Sequence, residues 1–301
     1  MKASLRREII RCAMTASVLS FLSTPCLADL LFSTGTVTNS MASASRPATG
    51  ASFEIESADD FFLTGNASIT SATFTGLIVA AAGQMPTIGD IVVEIYRVFP
   101  ALSDVGRTSG PPTFSTPNVP TRVNSPSDVE LEGRDSSASG ELAFTTTTLN
   151  PAFTATNSVT AGGIHASPLQ TTGGNGAQTG IEVQFNVSFL VPFNLPADHY
   201  FFVPQVEVTG GQFLWLSASR PIDGTGTPFP AGVTDLQSWT RDQFLDPDWL
   251  RIGTDIVGGN PAPTFNAAFT LTGVPVPEPA TLLLLGSALC GLLLTRRLAK
   301  G

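Results

Sequence analysis

The chain has 301 residues and a net charge of −9, from 24 acidic and 15 basic residues. Seven of the basic residues lie near the two ends, so residues 29–273 hold 22 acidic and 8 basic residues, a net charge of −14, with neither lysine nor cysteine. These counts exclude a disulfide framework, zinc fingers, iron–sulfur ligation and a cysteine nucleophile from that segment, and its acidic surface is unsuited to nucleic acid.

The N-terminal residues have the pattern of a signal peptide. Four basic residues within the first eleven precede an uncharged apolar run over 12–22, and small residues follow up to Ala28. The apolar run is far shorter than the roughly 20 residues that a membrane-spanning helix needs. We therefore predict a signal peptide over 1–28, with signal peptidase as a partner, cleavage after Ala28 and a mature chain that begins at Asp29.

The middle of the chain has the two-residue period of β-strands. From Ile181 to Val191 apolar residues alternate with polar ones, which predicts a half-buried strand. Glycine-rich turns separate further strand candidates, and no long amphipathic helix is present. We predict an antiparallel β-sandwich over 29–273 with nine to eleven strands, in a jelly-roll-like arrangement as one option. The further strand candidates are 53–56, 60–64, 69–79, 91–99, 141–148, 200–208, 213–216 and 264–271.

One segment does not fit the strand pattern. Residues 100–128 contain five prolines after Pro100, among serine, threonine and asparagine. We predict a long extended surface loop there.

Few residues carry a catalytic or metal-binding pattern. His165 and His199 are the two histidines, and neither lies in a serine-hydrolase or zinc-protease motif. Asp246 and Asp248 could supply oxygens to a structural calcium ion, although they lack a full ligand spacing. Two unidentified carboxyl groups in a cleft could serve a glycoside hydrolase, but the sequence does not show which ones.

Aromatic and threonine residues offer two further binding hypotheses. Trp239 and Trp249 have polar neighbours and could stack on a sugar ring if exposed, whereas burial in the core is the usual environment of tryptophan in a sandwich. Ice binding would require a flat, regular threonine array. The run over 145–148 is a single stretch of threonine and does not by itself predict such an array.

The C-terminal segment over 274–301 has the most specific pattern. Alternating prolines from Pro275 to Pro279 keep the chain extended, and an apolar run then precedes Arg296 and Arg297. A helix over 280–295 would be about 24 Å long, against a hydrocarbon core of about 30 Å. We predict a short transmembrane helix with its basic end in the cytoplasm.

These residues resemble a known sorting signal. Val276, Pro277, Glu278 and Pro279, followed by the apolar run and the arginine pair, look like the PEP-CTERM signal of Gram-negative bacteria, which is also catalogued as an ice-binding protein C-terminal domain. The resemblance covers about 25 residues. It implies that an exosortase, a membrane cysteine protease, cleaves near Glu278, and that the protein accompanies exopolysaccharide and biofilm genes.

Three functional hypotheses follow. The first is a non-enzymatic cell-surface or extracellular-matrix protein without a cofactor beyond the calcium considered above. It would be exported through the inner membrane, held transiently by the C-terminal helix and associated with exopolysaccharide. The alternatives are a glycan-binding module that uses Trp239 or Trp249 and, ranked last, a secreted hydrolase.

Overall fold

The strands form where the sequence alternates between apolar and polar residues or is apolar throughout. A computed structural model describes residues 28–50, 52–104, 119, 122–164, 171–221 and 235–276. The strands in this part of the chain are β1 (Asp29–Ser33), β2 (Val37–Ala44), β3 (Ile55–Phe62), β4 (Ala67–Ala80), β5 (Thr87–Val98), β6 (Pro126–Asp135), β7 (Leu142–Ala155), β8 (Ser158–Val159), β9 (Gln178–Leu195), β10 (His199–Thr209), β11 (Gly211–Ala218), β12 (Trp239–Asp242), β13 (Leu250–Arg251) and β14 (Phe269–Pro275).

Helical structure is minor. Residues Ala161–Gly163 form a 3₁₀ turn, and Ile252–Val257 form a π-helical turn. Neither has the length or hydropathy of a membrane span, and no other helix occurs among the described residues. The predicted helix over 280–295 and the predicted signal peptide before Ala28 lie outside the described residues.

The strands form two sheets that pack as a sandwich. In the eight-stranded sheet, β4 pairs with β9 along one edge and with β14 and then β11 along the other. The strands β7, β1, β2 and β8 extend this sheet outward. The second sheet has six strands in the order β13-β12-β3-β10-β5-β6. All pairings are antiparallel except that of β2 with β8, which confirms the predicted fold class.

An aromatic core lies between the two sheets. Phe74 of β4 stacks on Phe185 of β9 with ring centroids 4.9 Å apart, and Phe202 of β10 stacks on Phe269 of β14 at 5.0 Å. Trp215 is also fully buried among them. Phe185 and Phe269 occupy apolar positions of predicted alternating strands, so the period predicted their orientation, whereas Phe202 and Trp215 lie in continuous apolar runs that do not show which face points to the core.

A third layer covers part of the outer face of the six-stranded sheet. This layer is formed by the segments 235–238 and 243–249 on either side of β12. Their Leu236 and Trp249 pack, together with Trp239 of β12, against Phe201 and Tyr96. As a result, β10 is buried on both faces along most of its length.

Several strand boundaries differ from the sequence-based prediction. There are fourteen strands in the described residues. β8, β12 and β13 have only two to four residues and are too short to show a period, and β1, β2 and β6 were not among the predicted strands either. The predicted loop over 100–128 ends earlier, since β6 begins at Pro126. That strand is at the edge of its sheet, where a proline is tolerated. The last predicted strand begins at Phe269 rather than at 264.

Candidate functional sites

The two ends of the described chain lie side by side. Strand β1 pairs antiparallel with β14, with Asp29 opposite Gly273. Beyond β14, the backbone N–H of Val276 donates to the carbonyl of Asn66 at 2.8 Å. The chain therefore enters β1 and leaves β14 at one end of the eight-stranded sheet. The remaining predicted sorting residues, Pro277, Glu278, Pro279, Arg296 and Arg297, lie outside the described residues.

An acidic cleft of about 760 Å³ opens on the outer face of the six-stranded sheet. Glu94 and Tyr96 are two residues apart on β5 and so point to the same face. Arg241 of β12 lies opposite Glu56 of β3, and Glu130 of β6 lies opposite Tyr96. The registers of β12, β3, β10, β5 and β6 thus bring these five side chains to one place.

A hydrogen-bonded network connects the buried groups of this cleft. The Arg241 guanidinium donates hydrogen bonds to both carboxylate oxygens of Glu56, from Nε to Oε2 and from Nη2 to Oε1 at 3.0 Å. Nη2 also donates to the Tyr96 hydroxyl oxygen at 2.9 Å. The Tyr96 hydroxyl lies 2.6 Å from Glu56 Oε1 and 3.1 Å from Glu94 Oε2. A phenol has a single proton and can donate to one carboxyl group only, so a protonated Glu94 that donates to Tyr96 satisfies the remaining contact.

The electrostatic environment of Glu94 agrees with this proton count. Burial raises the pKa of Glu94 well above its usual range, and the neighbouring carboxylates of Glu56, Glu130 and Glu54 raise it further. Burial and Glu56 also raise the pKa of Glu54, whose Oε1 accepts a hydrogen bond from Gln205 at 3.2 Å. The cleft therefore places the buried carboxyl group of Glu94 close to a second carboxyl group, that of Glu56, which is paired with an arginine.

The calcium candidates Asp246 and Asp248 lie near this cleft but contact different arginines. Asp246 Oδ1 is 2.8 Å from Arg241 Nη1, and Asp248 Oδ1 is 3.4 Å from Arg122 Nη1. Arg122 also pairs with Asp128. Because the two carboxylates are directed to separate cations, they do not together form the set of oxygen ligands that calcium requires. No group of three or more potential ligands occurs in the described ranges, and calcium binding stays a prediction.

His199 lies beside a second group of buried acids. Its Nε2 is 2.6 Å from Asp60 Oδ2, and Arg220 bridges Asp60 at 3.3 Å and Asp235 at 3.2 Å. Asp59 accepts a hydrogen bond from the backbone N–H of Ala267. Among the described residues no serine or threonine hydroxyl is hydrogen-bonded to His199, so the arrangement here is an aspartate–histidine pair. His165 lies outside the described residues.

Burial is the main cause of the raised pKa values of Asp59 and Asp235. The pKa of Asp59 is raised well above its usual range by burial and then by the neighbouring Asp60. Burial and Asp60 likewise raise the pKa of Asp235 to about 6. These carboxyl groups bind protons more tightly in the folded state than in the unfolded state.

The tryptophans have no exposed ring face. Trp239 is 0% exposed and Trp249 is 1% exposed. Their indole nitrogens donate to the carbonyls of Leu236 and Ser127, and Arg251 and Arg241 lie over the rings. This corrects the hypothesis of glycan contact through these two residues, because the polar neighbours in the sequence face other buried groups rather than solvent.

Small polar residues form a row across the eight-stranded sheet. Thr145 of β7 is one member of a row of register partners that crosses five strands of the eight-stranded sheet, a pattern that the run over 145–148 does not reveal. The row consists of Thr145, Asn186, Thr73, Thr270 and Ser33.

Sequence reasoning missed the residues of the acidic cleft. A signal was present, because Glu94 and Tyr96 stand at a spacing of two within the mostly apolar run over 91–99. Glu56 and Arg241 are 185 positions apart and give no such signal. Only the pairing of β3 with β12 brings them together.

Comparison with known proteins identifies one feature. Residues 275–297 match the PEP-CTERM protein-sorting motif. No curated protein and no solved structure matches the chain. The motif begins at the last residue of β14, and it indicates that the chain is exported, held at its C-terminal end by a membrane-anchored sorting signal, processed by an exosortase and passed to the surface.

Proposed function

We propose that the processed β-sandwich is a non-enzymatic protein of the cell surface or extracellular matrix, associated with exopolysaccharide in a biofilm. Signal peptidase removes residues 1–28, and the exosortase then separates the sandwich from its tail. The domain that is delivered consists of the two sheets described above.

One observation carries this proposal. The last strand, β14, ends at Pro275, where the matched motif begins, and the last described contact with the sheet is that of Val276 with Asn66. Cleavage near Glu278 would therefore leave every described strand intact. Since Asp29 lies opposite Gly273, both processing steps act at the same end of the sandwich.

The test measures intact mass and location in producing cells with and without the exosortase. We expect wild-type protein that begins at Asp29, ends near Glu278 and fractionates with the matrix. Glu278→Ala, or loss of the exosortase, should leave the tail attached and the protein in the membrane fraction. Glu132→Ala, which removes a partly exposed acid outside the motif, serves as the matched control.

Two outcomes would contradict the proposal. One is a tail that persists in wild-type cells with active exosortase. The other is processed protein that occurs free in the medium and never with the matrix.

The acidic cleft favours a second candidate, a secreted glycoside hydrolase. Such enzymes use one protonated carboxyl group as general acid and one carboxylate as base or nucleophile. The pKa of Glu94 is raised by burial, and Glu56 is paired with Arg241 within the same network. Two carboxyl groups that share one cleft are the arrangement that this reaction requires.

This candidate is tested by release of reducing ends from a panel of neutral and acidic polysaccharides. Hydrolase function requires activity in the processed wild-type protein and its loss in Glu94→Gln, with Glu132→Gln retaining it. Absence of release from every polysaccharide would leave the non-enzymatic function in place.

A further inference from the structure

The outer face of β7, β9, β4, β14 and β1 is an ordered polar surface. In β9 the core-facing neighbours Phe185 and Val187 are 0% and 1% exposed, so Asn186 between them points outward. The same alternation directs Thr73 of β4 and Thr270 of β14 outward. A second row of register partners runs parallel to the first and consists of Ala143, Ser188, Ser71, Thr272 and Leu30.

This surface is almost free of charge. The five strands contain only two charged residues, Asp29 and Glu182. Asp29 is at the first position of β1. Glu182 is buried opposite Leu77, which belongs to a second hydrophobic cluster, so neither charge lies within the open polar rows. On a domain with 22 acidic and 8 basic residues, this face is therefore a place where a neutral polymer can approach without desolvating ions.

The surface has a shallow groove and unused hydrogen-bonding groups. A trough of about 540 Å³ is lined by Ser71, Thr73, Thr145, Asn186 and Ser188, together with Ala143 and core residues at its floor. Within the described part of the chain, the side chains of Thr73, Thr145, Asn186 and Ser188 make no hydrogen bond to the protein. Each hydroxyl or amide offers both a donor and an acceptor.

The spacing of these groups is regular. Neighbouring strands in a sheet lie about 4.8 Å apart, and successive outward residues on one strand lie about 6.6 Å apart. Ser71 and Thr272 pair through their hydroxyls, as do Ser33 and Thr270 at 3.0 Å. These pairs fix the hydroxyls on the β14 side of the array, and the backbone register sets the spacing of the others.

We propose that this face binds a neutral polysaccharide. The inference rests on the proposed association with exopolysaccharide and names the surface that makes the contact. Sugar hydroxyls match the donors and acceptors of the array, and an anionic polymer would be repelled by the acidic domain around it. A stable interface between two copies of the chain would instead need an apolar centre, whereas the centre of this face consists of Thr73, Asn186 and Thr270.

The test uses processed protein purified from the producing cells and native gels that contain hydroxyethyl cellulose, a mixed-linkage β-glucan, dextran or the anionic polymer alginate. We expect at least one neutral polymer, but not alginate, to retard the wild-type protein. Thr73→Lys should weaken that binding at least tenfold. The control is Thr87→Lys, which makes the same change at an exposed position of the six-stranded sheet. Thr145→Lys, on the edge strand β7, is a second variant in case Thr73→Lys fails to fold.

Four outcomes would overturn the inference. In the first, no neutral polymer retards the wild-type protein, and in the second, Thr73→Lys and Thr87→Lys bind equally well. In the third, the wild-type protein is a dimer that Thr73→Lys converts to a monomer. In the fourth, the protein instead shapes ice, binds no polysaccharide and loses ice shaping in Thr73→Lys. The proposed matrix function is tested separately by fractionation. If the protein fractionates with the matrix and Thr73→Lys binds the polymer normally, this inference is overturned and the matrix function is not.

Discussion

The outer faces of the two sheets differ in charge and in covering. Five strands of the eight-stranded sheet contain only Asp29 and Glu182 as charged residues, and their outer face is open over the threonine rows. The six-stranded sheet concentrates acids and arginines on β3, β5, β6 and β12, and the segments 235–238 and 243–249 cover part of it. Charged residues are thus concentrated on the sheet where arginines pair with the acids and further chain covers part of the surface. The open face of the other sheet is nearly neutral.

The largest expected effect comes from breaking the ion pair beneath the third layer. Arg241→Met removes the partner of Glu56 and leaves a buried carboxylate unpaired, which typically costs about 3–5 kcal/mol. Urea unfolding monitored by tryptophan fluorescence measures the loss of unfolding free energy. The double variant Glu56→Gln/Arg241→Met should recover part of it, and equal stability of Arg241→Met and wild type would contradict a compensating role for the arginine.

A second expected effect is a dependence of stability on pH. Burial raises the pKa of Asp255 from 3.8 to about 6, so the folded state binds this proton more tightly than the unfolded state does. Its contribution to the unfolding free energy is therefore greatest below pH 4 and declines as the pH rises through 6. A shift of this size corresponds to about 3 kcal/mol. Glu94, Asp59 and Asp235, whose pKa values are also raised, act in the same direction.

Unfolding free energies measured between pH 4 and pH 8 test this dependence. We expect the wild-type value to fall with increasing pH, and Asp255→Asn to show a smaller fall over the same range. A wild-type stability that rises from pH 4 to pH 7 would show that these carboxyl groups ionise normally in the folded protein.

A smaller effect distinguishes the two glutamates of the cleft. If Glu94 is protonated, Glu94→Gln preserves its size and donor and should change the unfolding free energy at pH 7 by about 1 kcal/mol or less. Glu56→Gln removes the charge that Arg241 needs and should cost several times more. Equal losses in the two variants, measured by urea unfolding, would place the proton elsewhere in the network.

The smallest expected effect is on the neutral face. Thr73→Val removes a hydroxyl that makes no hydrogen bond to the protein and should change the unfolding free energy by less than about 0.5 kcal/mol. Thermal unfolding of Thr73→Val and wild type measures this difference. A loss above 2 kcal/mol would show that the threonine row stabilises the sheet and is not a free surface.

The sequence predicted the parts of the fold that depend on neighbouring residues. The alternation from Ile181 to Val191 lies within β9, and the apolar run from Tyr200 to Val208 lies within β10, which is covered on both faces as expected. Short strands such as β12 and β13 escaped prediction because two to four residues cannot show a period. For Trp239 and Trp249 the sequence left burial, the usual environment, and exposure both open, because it does not show that the polar neighbours Asp248 and Arg251 are themselves buried.

The sequence by itself determined three features: the β-rich class, the acidic and cysteine-free composition of residues 29–273, and the sorting motif. Each depends only on composition or on residues that are adjacent or regularly spaced in the chain. Only the tertiary structure decided that Thr145, Asn186 and Thr73 share a row and that Glu56 meets Arg241. The physical reason is that a two-residue period fixes which face of a strand a side chain occupies. Which strands become neighbours depends on contacts between segments far apart in the chain.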